Sequence, residues 1–514
     1  METIDVGLLS LVPPIIAIVL ALCTKEVISS LIIGILSGGL IYALNTGGGI
    51  VEMSAISFGA MAETVGSPGK FNIILFLALL GALVCVVTKA GGSRAYGNWA
   101  STKIKNKKLA QLATSFLGVL IFIDDYFNCL TVGTVMKPVT DKYNVSRAKL
   151  AYIIDATAAP VCIIAPISSW AAAVGSTLYE TGAFSNELSA FFATIPYNLY
   201  AILSIIMVIV LSVTNLEFGP MAKAEWRAEH TGDLGAIDSD PEEEAAISNK
   251  GTVWDLVIPI GALIVFSILA MLFNGGYWSE GLSLSEAFGN CDASAALVLG
   301  GFWAIVVTFL LFIPRKLISF REFMDGIGDG VKSMVPAFII LTLAWTIGFM
   351  CQDYLGTGVY VGHLVESSNL PMEMIPAIVF LVAAGLSFSI GTAWGTFGIF
   401  IPIVVFICQA SAPELMVVTL SATLAGSVFG DHCSPISDTT ILSSTGAGCN
   451  HMEHVSTQIP YAITVAICCF IGYIIAGFSY GNILLTLGSG ILLLAAALII
   501  LHRFSQKKLN APEG

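Results

Sequence analysis

The sequence predicts an all-α polytopic membrane protein with inverted-topology repeats, two re-entrant hairpins and two discontinuous helices. Of its 514 residues, 56% are hydrophobic and only 11% are charged, and the mean hydropathy is +0.87. A soluble domain would carry about 25% charged residues, so most of this chain is expected to lie in lipid. Long apolar runs recur along the chain, and polar, proline-containing motifs return in its second half. These observations favour a duplicated membrane protein with irregular backbone at membrane depth.

Nine apolar runs are long enough to cross a membrane as helices, which takes about 17 to 25 residues each. They lie at 7–23, 26–44, 71–90, 196–214, 253–274, 293–313, 333–352, 459–477 and 482–502. The first run lacks a basic leader and a small-residue cleavage motif, so we expect it to be retained rather than removed as a signal peptide. So many runs exclude a protein held by a single anchor.

The two halves of the chain contain the same motifs in the same order. Asp155-Ala-Thr157 and Pro166-Ile-Ser168 correspond to Ser421-Ala-Thr423 and Pro435-Ile-Ser437 in the second half. Each half is interpreted as three spans, a hairpin that re-enters the membrane, a broken span and a final span. Because each copy then crosses the membrane an odd number of times, the second copy is predicted to be inverted relative to the first.

The first repeat is predicted at 1–214. After three spans comes a hairpin at 108–140, whose two apolar arms are each too short to span, with Asp124-Asp125 between them. A broken helix at 147–178 and a final span complete the repeat. An acidic cytoplasmic linker at 215–252 joins it to the second copy.

The second repeat is predicted at 253–477 and has the same order of parts. Its three spans are followed by a hairpin at 374–409, with a polar tip from Ser387 to Thr396, by a broken helix at 414–446 and by a final span. The remaining residues, 478–514, are predicted to form an extra terminal helix and a cytoplasmic tail.

Both broken helices are expected to be interrupted by proline or glycine. The first is interrupted at Ala159-Pro160 and from Ala165 to Ser169, and the second at Gly426 and from Gly430 to Pro435. Irregular backbone is tolerated at membrane depth only where it is buried in protein or lines a water-filled cavity. The hairpin tips and the broken helices therefore point to one shared site.

Lysine and arginine residues cluster in alternate loops, and acidic residues occupy the loops between them. When the basic loops are placed in the cytoplasm, only Lys70 of the 22 basic residues remains outside. This pattern predicts a multi-pass protein of the inner (plasma) membrane, with its N-terminus outside and its C-terminus in the cytoplasm.

Ionisable residues at the predicted breaks are candidates for handling ions. An uncompensated charge at the bilayer centre costs about 2.5 to 3.5 kcal/mol, and we expect no Lys or Arg within either broken span to neutralise these acids. Bound cations or protons are then the missing partners. The predicted ion- and proton-binding residues are Asp124, Asp125, Asp155, Thr157, Asp431, His432 and Asp438.

Neutral polar side chains near the same breaks are predicted to bind the cargo. They are Asn128, Ser168, Ser169, Thr392, Trp394, Thr396, Ser434, Ser437 and Thr439. Sodium, a hard cation, suits carboxylate, hydroxyl and carbonyl oxygens, so we expect it at a subset of all these residues. No cofactor is expected besides sodium and protons as coupling ions, because His451 and His454 have the spacing of a metal pair but lack a third ligand.

Several candidates also have a structural interpretation. Asp124 and Asp125 could cap the second arm of the hairpin, and Asp155 could bond a neighbouring hydroxyl. His432 could carry protons near neutral pH or make a structural hydrogen bond. Trp394 is either a platform for the cargo or packing at the hairpin tip.

The run from Gly430 to Thr440, with Ile123-Asp-Asp-Tyr126 and Asp155-Ala-Thr-Ala-Ala-Pro160, resembles the NhaC family of sodium/proton antiporters over nearly the whole chain. The resemblance implies the architecture of the ion transporter superfamily, with a scaffold portion and a mobile portion that carries the hairpins. It also implies an elevator-like movement and a homodimer. The family includes exchangers of small carboxylates and carriers assigned to amino acids, so membership leaves the cargo open.

The function expected is secondary active transport, with sodium/proton antiport as the first hypothesis. The alternative is sodium- or proton-coupled transport or exchange of a small carboxylate or amino acid. An intramembrane aspartyl protease is disfavoured because the stretch from Val428 to Asp431 lacks the first glycine of Gly-x-Gly-Asp. Two closed hairpins also suit alternating access better than a channel. Expected partners are membrane lipid and a small ion or small-molecule cargo, with no nucleic acid.

Overall fold

The structure, a computed structural model, covers most of the chain. The residues described are 3–24, 26–122, 125–165, 168, 170–171, 174–175, 178, 184, 187–214, 216–235, 248, 250–357, 359–360 and 371–509. Within them the chain is helical and contains no strand. Nine helices of this described part are long and apolar enough to cross a membrane. The predicted all-α polytopic membrane protein is thereby confirmed.

The helices of the first half begin after a short 3-10 turn at Gly7–Leu11. They are α1 Val12–Thr24, α2 Val27–Asn45, α3 Ile50–Gly66, α4 Pro68–Lys89, α5 Gly92–Lys103, α6 Lys107–Leu120, α7 Asp125–Lys142, α8 Arg147–Thr157, α9 Ala159–Cys162, α10 Glu187–Thr194, α11 Leu199–Thr214 and α12 Gly219–Thr231.

The helices of the second half lie between Trp254 and Leu509. They are α13 Trp254–Asn274, α14 Leu284–Asn290, α15 Ala293–Phe312, α16 Phe320–Ser333, α17 Val335–Phe349, α18 Ile375–Ile390, α19 Ala393–Ser411, α20 Met416–Cys433, α21 Asp438–Ala447, α22 His451–Phe478 and α23 Ile483–Leu509. A π-helical turn at Met350–Tyr354 extends α17.

Short helices between the spans are the main feature that hydropathy missed. The helices α3, α5, α14 and α16 fall outside the apolar runs, and α12 lies inside the expected linker at 215–252. Helix α16 begins with a capping box in which Ser319 and Glu322 each bond the backbone N–H of the other. The acidic run from Asp240 to Glu244, which defined the linker, lies outside the described residues.

Each predicted hairpin consists of two helices that pack together across a short break. Helix α6 ends at Leu120 and α7 begins at Asp125, while α18 and α19 are separated by Gly391 and Thr392. Gly391 ends α18 with a φ of 76°, a left-handed conformation that glycine adopts without strain. The breaks therefore lie at the polar tips that the sequence indicated.

The first broken helix is interrupted close to the predicted position. Helix α8 ends at Thr157, and α9 starts at Ala159 with Pro160 in its first turn, so the break falls at Ala158. The second predicted break, from Ala165 to Ser169, lies largely outside the described residues.

The second broken helix corrects the sequence interpretation. Gly426 and Gly430 do not interrupt it, because both lie inside the continuous helix α20, and the break falls at 434–437. The two glycines instead let α20 approach α18. A β-carbon on Gly426 would lie 2.3 Å from Phe380 O, and one on Gly430 would lie 2.2 Å from Ala384 O. Such a Gly-xxx-Gly spacing is the common solution for close helix packing in membranes.

The helices form two bodies. The scaffold body comprises α1–α4 and α13–α17, and the hairpin body comprises α6–α12 and α18–α23. Helices pack extensively within each body, whereas direct contact between the bodies is mainly that of α17 with α18 and α21, and of α1 with α18. Helix α5 packs against members of both. The two bodies therefore meet across a limited interface, to which the hairpin body contributes mainly α18 and α21.

Many basic residues gather where α12 crosses the ends of other helices. Lys107 pairs with Glu225 at 2.6 Å, and Arg227 pairs with Glu453 at 2.5 Å. The backbone of Arg147 donates to Leu234 O at 2.8 Å. Segments that the positive-inside rule assigned to one side are thus in mutual contact.

Candidate functional site

Asp155 is a fully enclosed carboxylate of the predicted site. It lies in the last turn of α8, just before the break at Ala158, and its side chain is fully buried. Its Oδ2 atom accepts a hydrogen bond from Gln458 Nε2. His454 Nε2 and Thr440 Oγ1 each lie 3.3 Å from the same oxygen. A carboxylate removed from solvent needs such donors, and these come from α21 and α22, far away in sequence.

His432 faces Asp155 from the last turn of α20. Its Nε2 atom is 3.8 Å from Asp155 Oδ1, and its Nδ1 atom is 3.2 Å from the hydroxyl of Tyr200. Gln458 donates to the backbone oxygen of His432 at 2.9 Å. Asp155 therefore lies between two imidazoles, those of His432 and His454. Both interpretations of His432 are compatible with this geometry, since one ring nitrogen has a structural partner and the other faces the acid.

Asp431 and Asp438 lie on different helices, on either side of the break. Asp438 is the first residue of α21, and its Oδ2 atom accepts hydrogen bonds from Tyr126 OH at 2.6 Å and Trp345 Nε1 at 3.4 Å. Asp431 Oδ2 accepts from Thr439 Oγ1 at 3.1 Å. Although the two acids are seven residues apart, they do not share a helix face. Thr439, next to Asp438, connects them.

Several polar atoms of this cluster are buried without a hydrogen-bond partner in the described part of the chain. They are Asp155 Oδ1, Asp431 Oδ1, His432 Nε2, His454 Nδ1 and Gln458 Oε1. Buried polar atoms are normally paired, so this concentration indicates a missing ligand. The charges of Asp438 and Asp155 also repel that of Asp431. A cation or a proton would satisfy the free oxygens and relieve the repulsion.

The donor set does not suit a transition metal. Among the residues that the structure describes, no group of three His, Cys, Asp or Glu side chains is arranged to hold a metal ion. His451 and His454 also serve different partners, because His451 Nε2 donates to Pro435 O at 2.8 Å. A sodium ion at the carboxylates would instead be completed by hydroxyl and carbonyl oxygens.

A cavity of about 270 Å³ lies beside these carboxylates, at the interface of the two bodies. The scaffold contributes Lys70, Trp345, Gln352 and Asp353, the last two from the π-helical turn after α17. The hairpin body contributes Tyr126, Thr392, Trp394 and Asp438. Both hairpin tips and the second broken helix therefore line one space, which reaches the surface at the exposed Asp353.

Trp394 packs at the hairpin tip and also borders a cavity, while its role as a platform for the cargo stays a prediction. It lines the cavity, and its ring also packs 5.0 Å from that of Trp170 and 5.6 Å from that of Phe397. Thr392 lines the cavity too, whereas the buried Thr396 hydroxyl donates to Thr392 O at 3.0 Å.

The predicted hydroxyls of the second broken helix mostly stabilise its break. Ser437 is the N-cap of α21 and accepts from Thr440 N at 3.3 Å, and Ser434 Oγ donates to Phe388 O at 2.8 Å. Thr439 and Ser437 also interact with Asp431 through their side-chain hydroxyls.

The predicted residues of the first repeat likewise support its backbone. Asn128 Nδ2 donates to the backbone oxygens of Gly118, Ile121 and Thr157, at 2.6, 2.8 and 3.2 Å. Thr157 and Ser168 donate to carbonyl oxygens within their own segments. Asn128 thus joins the first hairpin to the end of α8.

Asp125 is fully buried in the first turn of α7, and its role stays a prediction. Asp124 and Ser169 lie outside the described residues, so their roles stay predictions.

Sequence reasoning missed several members of the site. Gln458 and Trp345 were not singled out, and no repeat motif pointed to α22, which carries Gln458 and His454. His454 was considered only as part of a metal pair, and Tyr126 only as part of the family motif. Lys70 had a signal: it was the basic residue left on the outer side by the charge pattern.

Lys70, on α4, lines the same cavity as Asp438. The expectation of no Lys or Arg in either broken helix was wrong, because Arg147 and Lys149 are buried at the start of the first one. Arg147 and Lys149 form ion pairs with other acids, however. Lys149 pairs with Glu217 at 2.7 Å, and Arg147 pairs with Asp141 at 2.8 Å.

Comparison with known proteins identifies the family. The profile of the Na+/H+ antiporter family matches residues 171–478, more than half of the chain. A Haemophilus influenzae protein described as uncharacterized is 40% identical over 99% of this chain and 97% of its own length. A malate-2H+/Na+-lactate antiporter of Bacillus subtilis is 28% identical over 36% of this chain and 43% of its own length. An uncharacterized Na+/H+ antiporter of Haemophilus influenzae is 27% identical over 34% of this chain and 37% of its own length.

The matched family and the relatives named for an activity are transporters, not enzymes. The resemblance carried by the run from Gly430 to Thr440 is therefore confirmed. Together with the membrane-spanning helices and the buried carboxylates at helix breaks, the match means that this chain belongs to the Na+/H+ antiporter family.

Proposed function

We propose that this protein exchanges sodium for protons across the cell membrane. The observation that carries the proposal is the cluster of Asp155, Asp431 and Asp438, three buried carboxylates beside two helix breaks, with free oxygens on Asp155 and Asp431. Neither sodium nor protons need a large binding site, and both would relieve the repulsion within this cluster. Competition between the two ions for the same oxygens couples their movement.

The imidazoles of His432 and His454 give the cluster a route for protons. In each imidazole, Nε2 lies near the carboxylate of Asp155, whereas Nδ1 does not contact that carboxylate. Histidine exchanges protons readily near neutral pH. A proton that leaves Asp155 when sodium binds therefore has a neighbouring acceptor.

We propose an elevator-like movement of the hairpin body against the scaffold body. The limited contact between the bodies and the cavity at their interface support it. The similar order of helices in both halves, each with a hairpin followed by a broken helix, supports inverted repeats at 1–214 and 253–477. The gathered basic segments support a common cytoplasmic face, with the N-terminus outside. The family resemblance supports a homodimer, and the charge pattern of the loops supports the inner membrane.

Proteoliposomes that contain a pH-sensitive dye test the antiport. An outward sodium gradient is expected to acidify the vesicle lumen as protons enter in exchange for sodium. Asp155→Asn and Asp431→Asn should abolish this signal, because an amide cannot exchange a proton with sodium. Asp292→Asn is the matched control, since Asp292 caps α15 far from the cluster. Absence of the signal for the unmodified protein at every sodium concentration would refute the proposal.

The cavity favours a second candidate function, coupled transport of a small organic solute. A pure ion exchanger does not need a space of about 270 Å³ lined by two tryptophans. The relative named as a malate-2H+/Na+-lactate antiporter moves organic acids together with sodium and protons, as its name states. In this case the carboxylate cluster would hold the coupling ions, and the cavity would hold the cargo.

A further inference from the structure

A second cavity, of about 210 Å³, lies between the scaffold body and the first hairpin. The two arms of the hairpin line it with Leu117 and Val135, and α13 of the scaffold lines it with Ile260 and Ile264. Helix α5, which packs against both α7 and α13, contributes Tyr96. None of these residues belongs to the carboxylate cluster, so this cavity is separate from the ion site.

The wall of this cavity does not suit water. Apart from the hydroxyls of Tyr96 and Thr131, the side chains that line it carry no polar atom. An ordered water needs about two to four polar partners, and apolar cavities stay dry or bind apolar molecules. A stable occupant must therefore be largely hydrocarbon.

The membrane supplies hydrocarbon directly beside the cavity. Val257, which lines it, is also exposed at the surface of α13, and its exposed neighbours on that helix are Trp254, Ile258 and Val265. A helix face that is apolar and long enough to span is covered by lipid acyl chains. The cavity therefore opens towards the acyl chains of the bilayer.

Helix α5 connects the cavity to a patch of positive charge. Tyr96, Trp99 and Lys103 follow one another at spacings of three and four residues, so they lie on one face of the helix. The ring centroids of Tyr96 and Trp99 are 5.8 Å apart, and Trp99 is exposed. An exposed tryptophan beside a lysine is typical of a helix at the level of the lipid headgroups.

The charge of this patch favours an anionic headgroup. Residues 92–108 include five basic side chains and no acidic one. Lys103 and Lys105 are exposed, whereas Lys107 pairs with Glu225 of α12 at 2.6 Å. Exposed lysines next to a membrane-spanning segment attract anionic lipids.

We propose that this cavity binds an acyl chain of an anionic phospholipid whose headgroup lies on Lys103 and Lys105. The chain lies between α13 and the arms of the first hairpin, and Tyr96 and Trp99 contact it between the cavity and the headgroup. Because the lipid touches both bodies, it stabilises their present arrangement and leaves the cavity when the hairpin body moves. The proposal concerns a lipid that regulates the movement, and it holds for any cargo.

Thermal unfolding and native mass spectrometry of the delipidated full-length protein in detergent test the proposal. The probes are dioleoyl phosphatidylglycerol, which is anionic, and dioleoyl phosphatidylcholine, which has the same chains and no net charge. Phosphatidylglycerol is expected to bind and to raise Tm by a few degrees more than phosphatidylcholine, since a ligand that binds only the folded state stabilises it. Equal binding and equal Tm shifts with the two lipids would refute the proposal.

Gly261→Leu tests the cavity itself. Gly261 lines the cavity, and a β-carbon there meets no atom within 4 Å, so a larger side chain occupies the free space without a clash. It should weaken phosphatidylglycerol binding by about 10-fold or more, as expected when about two methylene groups of the chain lose their site. Gly59→Leu is the matched control, at an exposed glycine of α3 with equally open surroundings.

Two results for Gly261→Leu would overturn the proposal. One is phosphatidylglycerol binding equal to that of Gly59→Leu. The other is loss of a dimer with lipid binding unchanged, which would assign the cavity to a second copy of the chain.

Lys103→Gln/Lys105→Gln tests the headgroup and leaves the cavity intact. This variant should bind phosphatidylglycerol no better than phosphatidylcholine. Arg321→Gln/Lys332→Gln is the control, because it removes two basic side chains of α16 that are 92% and 79% exposed. A full preference for phosphatidylglycerol in Lys103→Gln/Lys105→Gln would contradict the proposed contact and overturn the site.

Discussion

At the scale of single residues, the site is a set of shared hydrogen bonds rather than a row of independent acids. Gln458 bonds the carboxylate of Asp155 and the backbone oxygen of His432 with one amide nitrogen. Thr439 connects Asp431 to Asp438 in a similar way. A change in the protonation of one acid is therefore felt by the next, and neutral residues become as important as the charged ones.

Gln458→Leu tests this view. The variant keeps the volume of the side chain but removes the donor from a buried carboxylate, and a hydrogen bond to a charged group contributes about 1.5 to 3 kcal/mol. We expect the apparent affinity for sodium to fall about 10-fold or more, measured as the half-saturating sodium concentration in proteoliposomes. Gln409→Leu, at an exposed position of α19, should leave it unchanged. An unaltered sodium dependence in Gln458→Leu would contradict the role given to Gln458.

At the scale of helices, glycines determine how closely the broken helices and hairpins approach. Gly426 and Gly430 bring α20 against α18, and Gly133 and Gly446 do the same for α7 and α21. A β-carbon on Gly133 would lie 2.5 Å from the backbone carbon of Gly446. Each contact joins a hairpin helix to a broken helix, and so fixes the tips relative to the breaks.

Gly430→Ala is the corresponding prediction. Its new methyl group would meet the backbone oxygen of Ala384 at 2.2 Å, and the rigid backbone cannot move aside cheaply. Overpacking of this kind costs about 1 to 3 kcal/mol, so we expect a lower Tm and loss of exchange. Gly488→Ala is the matched control in α23, where no atom lies within 4 Å of the added carbon. It should leave Tm unchanged or raise it slightly. Equal behaviour of the two variants would refute the packing role of Gly430.

At the scale of the whole molecule, the scaffold body and the hairpin body are related by the proposed movement. A disulfide across their interface should stop it. A β-carbon on Gly348 of the scaffold would lie 3.0 Å from Ile390 O and 3.4 Å from Ile390 Cγ2, so these two residues are in contact across the interface. We expect oxidised Gly348→Cys/Ile390→Cys to lose exchange in proteoliposomes and to regain it on reduction.

A pair within one body is the control for this cross-link. A β-carbon on Gly301 would lie 3.2 Å from Leu79 Cβ, and both residues belong to the scaffold. Oxidised Gly301→Cys/Leu79→Cys should keep its activity. If the cross-linked Gly348→Cys/Ile390→Cys protein transports at the normal rate, the two bodies do not move apart at this point and the elevator proposal fails.

Local properties of the sequence were enough to predict the class of the protein and the position of most helices. Hydropathy and the low charge content are local properties, and so are the prolines and polar tips that mark the breaks at Ala158 and at Gly391. The same local reasoning gave the wrong interpretation of Gly426 and Gly430, which lie inside a continuous helix. Glycine is compatible both with a helix break and with close helix packing, and only the neighbouring helix distinguishes the two cases.

Which side chains come together at the candidate site depends on the tertiary structure. Asp155 and Gln458 are 303 residues apart, and Trp345 reaches Asp438 from the other body. The place of Lys70 in the cavity depends on the tertiary structure, in which α4 lies opposite the tip of the second hairpin. Sequence patterns report periodicity and burial within one segment, whereas hydrogen bonds and charges act across space between segments. The candidate carboxylates could therefore be predicted from the sequence, whereas the residues that bond them could not.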